Sequence, residues 1–320
     1  MLFPTRPNVL PGLILATLPP VVVGGFGLAF LSFVGGRAEA WRLADAAGPY
    51  SLLMAVAVLG VTLALSALLS MGTRWHSPLV MLVGLATLPW LLGIAGTQEA
   101  MEKVLAALPD AGSGDALAVL VAGTGEAMVT RLVGAWMSAA LLVAVAVGLA
   151  MRLERATLLG EGTGRLLGAG LSLTLGGTAL LVALEAHHLF ERLTTLATQA
   201  PEARAEHVAA GTEKLMRLQE LRSAMLGALV VLALALICWQ LLLRPEAVTR
   251  WVGSLLLTAL AAMVLVLDAR PMQLAAEGAR EADVSHTLLP MLAPNGPKLA
   301  RGDVPPGPYD VPTPGIRSER

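Results

Sequence analysis

Long apolar runs alternate with short polar stretches along the whole chain. The runs cover 10–34, 49–71, 78–96, 131–151, 165–184, 224–243 and 251–268. A helix needs roughly 20 mostly apolar residues to cross a bilayer, and each run approaches or exceeds that. The runs are rich in Leu, Ala and Val, too long for barrel strands, and free of two-residue alternation, so they predict helices. The expected fold is all-α: a polytopic membrane protein with about seven transmembrane helices.

Polar segments divide the chain further. Residues 1–9 form a lead and 10–71 a first hairpin linked by a loop at 35–48 carrying Arg37, Glu39, Arg42 and Asp45. Residues 78–151 form a second hairpin. Residues 165–243 form a third, whose helical pattern continues beyond the membrane through 185–222 with a break near Pro201. There Leu189, Leu193 and Leu196, then Leu215 and Leu218, keep an apolar stripe at helical spacing. A seventh helix with an amphipathic extension covers 251–289. The tail 290–320 holds eight prolines and reads as disordered.

The hairpins echo one another. Leu15-Ala16-Thr17-Leu18-Pro19 recurs as Leu85-Ala86-Thr87-Leu88-Pro89. Gln98-Glu99-Ala100, Leu184-Glu185-Ala186 and Leu267-Asp268-Ala269 each follow or close an odd-numbered run, so these helices leave the membrane beside a carboxylate. Repeated hairpins plus one unpaired helix account for the pattern. Gly24, Gly25 and Gly27 in the first run read as close-packing positions, with Pro19 and Pro20 kinking it. Asp268 and Arg270, flanking Pro271, read as a helix end with a local ion pair.

Composition agrees with a membrane protein: 56% of residues are hydrophobic and 14% charged, against about 45–50% and about 25% in soluble domains. A net charge of −1 offers nothing to nucleic acid. The one cysteine, Cys238, forms no intrachain disulfide. Placing the N-terminus and the links at 72–77, 152–164 and 244–250 on one side, with Arg165 at the edge of the second link, gives that side seven arginines against three glutamates. The remaining 15 basic and 20 acidic residues lie opposite. The positive-inside rule then puts the N-terminus in the cytoplasm and the C-terminus in the periplasm of a bacterial inner membrane.

Chemistry is sparse. No glycine loop stands in a strand–helix setting and no nucleophile stands with a base, so neither an enzyme nor a cofactor is expected. Glu185-Ala-His187-His188 with Glu191 is a weak metal-ligand pattern lacking the second Glu-x-x-His of di-iron bundles. Ionisable groups within membrane segments are functional by default, which singles out Glu126 and Arg131. The plainer alternative for these two is a salt bridge at the membrane interface. No buried charge pair is legible that would mark a transporter's substrate, although Pro- and Gly-interrupted helices suit a small-solute transporter.

Leu92-Gly93-Ile94-Ala95-Gly96-Thr97 closes the third run. Gly123-Thr124-Gly125-Glu126-Ala127-Met128-Val129-Thr130 precedes the fourth, with Gly134 eight residues after the glutamate. In these motifs the central hairpin, about 79–150, resembles the MotA/TolQ/ExbB proton-channel family. The family has threonine where Arg131 stands, proline where Ala140 stands, and a large cytoplasmic segment where only 72–77 lies. The resemblance implies a homo-oligomeric inner-membrane subunit coupled to the proton-motive force, ringed around a single-pass partner that carries a membrane aspartate. It implies a proton path along Thr97, Glu126, Thr130 and Ser138, with Arg131 and Glu99 as gating or salt-bridge residues. The alternative is a non-conducting scaffold of the same ancestry, which Arg131 would favour by repelling protons, with extramembrane helices that bind an envelope partner.

Overall fold

The structure, a computed structural model, describes residues 9–71, 79–111, 116–151, 163–198, 201–243, 248–281 and 292. The tail, most of the lead and nearly all of the arginine-bearing links used above to orient the chain lie outside the described residues. Among those described the chain is all helical: α1 Val9–Phe33, α2 Arg37–Ala46, α3 Pro49–Met71, α4 Leu79–Ala107, α5 Ala116–Ala150, α6 Thr163–Thr198, α7 Pro201–Leu243 and α8 Val248–Glu281, with a single 3₁₀ turn at Leu108–Asp110. Seven of the eight α-helices are long and apolar enough to cross a membrane, and the protein is a multi-pass membrane protein.

The link expected as a loop at 35–48 is the eighth helix, α2. Its flanks explain it. Gly35 and Gly36 adopt φ of 91° and 112°, and Gly48 adopts 56°, conformations that side chains with a Cβ avoid. The glycines turn the chain off α1 and terminate α2, where Ala47 and Gly48 donate to the carbonyls of Leu43 and Asp45. Pro49 then starts α3, needing no N–H at that position.

α5 is the centre of the bundle. It touches α1, α2, α3, α4, α6 and α8, and most of its residues are buried. At 35 residues it is about 52 Å long against a hydrocarbon core of about 30 Å, so it must project from the membrane, as must α6 and α7. Leucines and valines of the outer helices face away from the protein, among them Leu59 and Leu63 of α3 and Val230 and Val231 of α7. Such faces suit lipid.

Two devices lock α5 in place. α4 crosses it where Gly93 faces Gly134. A Cβ on Gly134 would stand 2.5 Å from the Pro89 carbonyl oxygen, and one on Gly93 would stand 2.6 Å from that of Thr130. Only glycine permits this approach. On another face, Trp136 packs among Phe26, Phe30 and Phe33 of α1 and donates its indole N–H to the Phe26 carbonyl at 3.0 Å. Gly24, Gly25 and Gly27 of α1, expected to mediate close packing, have nothing within 4 Å of where a Cβ would be. Among the described residues, the glycines whose Cβ would strike backbone atoms of another helix at under 3.0 Å lie at the α4–α5 crossing instead.

Candidate functional site

Thr97 of α4 and Thr130 of α5 meet just beyond the glycine crossing. Their hydroxyls lie 2.8 Å apart and are buried. Thr97 Oγ1 also lies 2.8 Å from the Gly93 carbonyl, and Thr130 Oγ1 3.0 Å from that of Ala127. Two hydroxyl protons serve three contacts, so the pair has more than one proton arrangement. Gly96 completes the spot, since a Cβ there would strike the Tyr50 ring at 2.9 Å.

Ser138, the deeper residue of the expected path, accepts the Trp90 backbone N–H at 2.9 Å. Trp90 immediately follows Pro89, so this hydroxyl supports α4 at its proline. Glu126 is exposed, one turn of α5 before Thr130. Glu99 is engaged at the surface, where it accepts from the Tyr50 hydroxyl at 2.7 Å and from Lys103 at 2.7 Å.

Arg131, next in sequence to Thr130, points to the other side of α5 and is fully buried. This overturns the expected interfacial bridge with Glu126. Its partner is Asp268 of α8. Nε donates to Oδ1 at 3.0 Å and Nη2 to Oδ2 at 2.7 Å, a two-point guanidinium–carboxylate pair. Asp268 Oδ1 also accepts the Trp90 indole N–H at 3.0 Å. Glu185 of α6 stands 3.7 Å from Arg131, accepts from Arg222 of α7 at 2.6 Å and takes Gln219 Nε2 at 3.3 Å. Arg222 also lies 3.9 Å from Asp268. Two arginines and two carboxylates from α5, α6, α7 and α8 thus form a neutral cluster. Arg131, Glu185 and Asp268 are nearly inaccessible, and the Arg222 side chain is 27% exposed. Arg131 Nη1 is buried and makes no hydrogen bond among the described residues.

The quartet occupies a common level. Arg131 opens the fourth apolar run, Glu185 follows the fifth, Arg222 precedes the sixth and Asp268 closes the seventh. The echo of Glu185 and Asp268 at the ends of odd-numbered runs was visible in the sequence; their convergence on one arginine was not. Asp268 does not sit at a helix end. α8 runs through Pro271 to Glu281, which leaves Asp268 on the buried face and Arg270 exposed. A buried charge cluster is thus present where none was legible in the sequence.

The weak metal pattern is dispersed. Glu185 is held by Arg222 and Gln219, and Glu191 faces His187 at 3.3 Å, while His188 is buried. Among the described residues no three His, Cys, Asp or Glu side chains group to hold a metal ion.

Comparison with family models, with curated proteins and with solved structures yields no match for this chain.

Proposed function

We propose that this protein is an inner-membrane subunit of the MotA/TolQ/ExbB type, which couples the proton-motive force to motion of a partner and has its N-terminus in the cytoplasm. The observation that carries the reading is the quartet: Asp268 and Glu185, two protonatable carboxylates, each neutralise arginines across helix boundaries within the membrane bundle. Removing a charge from such a pair leaves the other buried and uncompensated, at a cost of about 3–5 kcal/mol. A proton that reaches Asp268 from the partly open Arg222 side strands Arg131, whose two-point partner it is, whereas one on Glu185 takes the hydrogen-bonded partner from Arg222. The strain is relieved by moving α8 or the α6–α7 hairpin relative to α5. Deprotonation restores the lock. Proton binding is thereby converted into helix displacement, with the Thr97–Thr130 pair as an adjacent hydroxyl relay. The required partner is a single-pass protein with a membrane aspartate, held by a ring of copies of this chain.

The test is proton flux and motive-force-dependent phenotype in Asp268→Asn and Glu185→Gln variants, which mimic the protonated lock at unchanged shape. Abolished coupling per folded protein is expected, with flux normalised to protein level because losing the charge also destabilises the fold; full activity in both would sink the reading. Thr97→Ala and Glu126→Gln test the hydroxyl path separately, and native mass in mild detergent tests the ring.

A second reading, a non-conducting scaffold, is favoured by the enclosure of Thr97 and Thr130, 0% and 4% exposed. It expects a co-purifying envelope partner and no proton flux in proteoliposomes.

A further inference from the structure

At the end of the bundle where α1 stops, a cleft of about 520 Å³ opens between α2 and the ends of α6 and α7. Its charged lining comes from three helices: Glu39 and Arg42 of α2, His187, Glu191 and Arg192 of α6, and Lys214 of α7. Arg42 pairs with Glu39 and its guanidinium carbon stands 5.9 Å from the centre of the Phe190 ring. The His187 ring rests on Phe33 with centroids 4.4 Å apart. One of its nitrogens faces Glu191, and the other, Nδ1, is buried without a hydrogen bond among the described residues. Val34, Leu43 and Phe190 add an apolar flank.

Three features define what fits. The lining carries three fixed cations and two carboxylates. A simple anion would meet Glu39 and Glu191, and a simple cation would meet Arg42, Arg192 and Lys214, whereas a molecule bearing both signs satisfies each set. Guanidinium and ammonium groups are phosphate binders. The cleft also lies at membrane-surface level, because α2 joins the end of one apolar run to the start of the next. Trp41 on α2 is 75% exposed, in the manner of an interfacial anchor. We propose that this cleft binds a phosphate-bearing zwitterion with an ammonium group. That chemistry is shared by an aminophospholipid headgroup and by the free glycerophosphate ester of the same amine. Arg42 and Lys214 hold the phosphate, and Glu39 and Glu191 hold the ammonium. The site stands independently of the proton-coupling reading.

The test is native mass spectrometry of the full chain in mild detergent, titrated with phosphatidylethanolamine, with phosphatidylglycerol and with soluble glycerophosphoethanolamine. Retention of phosphatidylethanolamine over phosphatidylglycerol is expected, weakened about tenfold or more in the Arg42→Gln/Lys214→Gln variant by loss of charge-assisted contacts. In Glu39→Gln/Glu191→Gln the preference should shift toward phosphatidylglycerol. Binding of the soluble ester as tight as that of the lipid identifies a free ligand, and binding of the lipid alone identifies the membrane as the source. Equal retention of both lipids by the unaltered chain, or an unchanged preference in the Glu39→Gln/Glu191→Gln variant, overturns the proposal.

Discussion

Thr130 and Arg131 are neighbours in sequence, yet they serve opposite kinds of interface. Thr130 faces α4 at a crossing made by glycine backbones and a shared pair of hydroxyls. Arg131 faces α6 and α8 in an interface made by charge. The first contact is neutral and tight, and nothing in it changes with protonation. The second joins two carboxylates to two arginines. One turn of α5 therefore presents an uncharged, glycine-lined face to α4 and a charged face to α6 and α8.

The comparison can be broken from the charged side first. Asp268→Leu should give the largest loss, about 3–5 kcal/mol, because it strands Arg131 in the core. The readout is thermal unfolding in detergent, and Arg131→Met combined with Asp268→Leu should recover most of the loss. If the single variant melts like the parent, the quartet does not hold α8.

From the neutral side, Gly134→Ala should cost about 1–3 kcal/mol by overpacking, since its new Cβ would stand 2.5 Å from the Pro89 carbonyl oxygen. Gly24→Ala should cost far less, because that position has open space around it. Equal effects at the two sites would refute the crossing. A double-mutant cycle of Thr97→Val and Thr130→Val should show a coupling of about 0.6 kcal/mol, the usual size for polar contacts between membrane helices. The smallest effect belongs to Lys103→Ala. Its pair with Glu99 is exposed, and the melting temperature should not move measurably, at low or high salt.

Much of this architecture is local and therefore legible in the chain itself. Apolar run length dictates seven spanning helices, because a backbone in lipid must satisfy its own hydrogen bonds. The motif glycines Gly93 and Gly134 and the threonines Thr97 and Thr130 could be picked out in advance, and they do meet. Carboxylates at the ends of the odd-numbered runs were visible as well. The identity of the link at 35–48 was not, since a short charged stretch between glycines resembles a loop until those glycines are seen to turn and cap it. Nor was the fate of Asp268, because a proline three residues later suggests a helix end, and α8 instead continues through it.

What only the tertiary structure decided is the pairing of charges. Arg131 and Asp268 are 137 residues apart, and no periodicity within either helix encodes the other. Their meeting depends on how α5 and α8 are rotated about their axes, and that rotation is set by glycine crossings, aromatic packing and buried leucines along the whole bundle. Sequence determined the spanning helices and the list of charged groups that needed partners; the fold chose the partners, because burying a charge is tolerable only where another element brings its opposite.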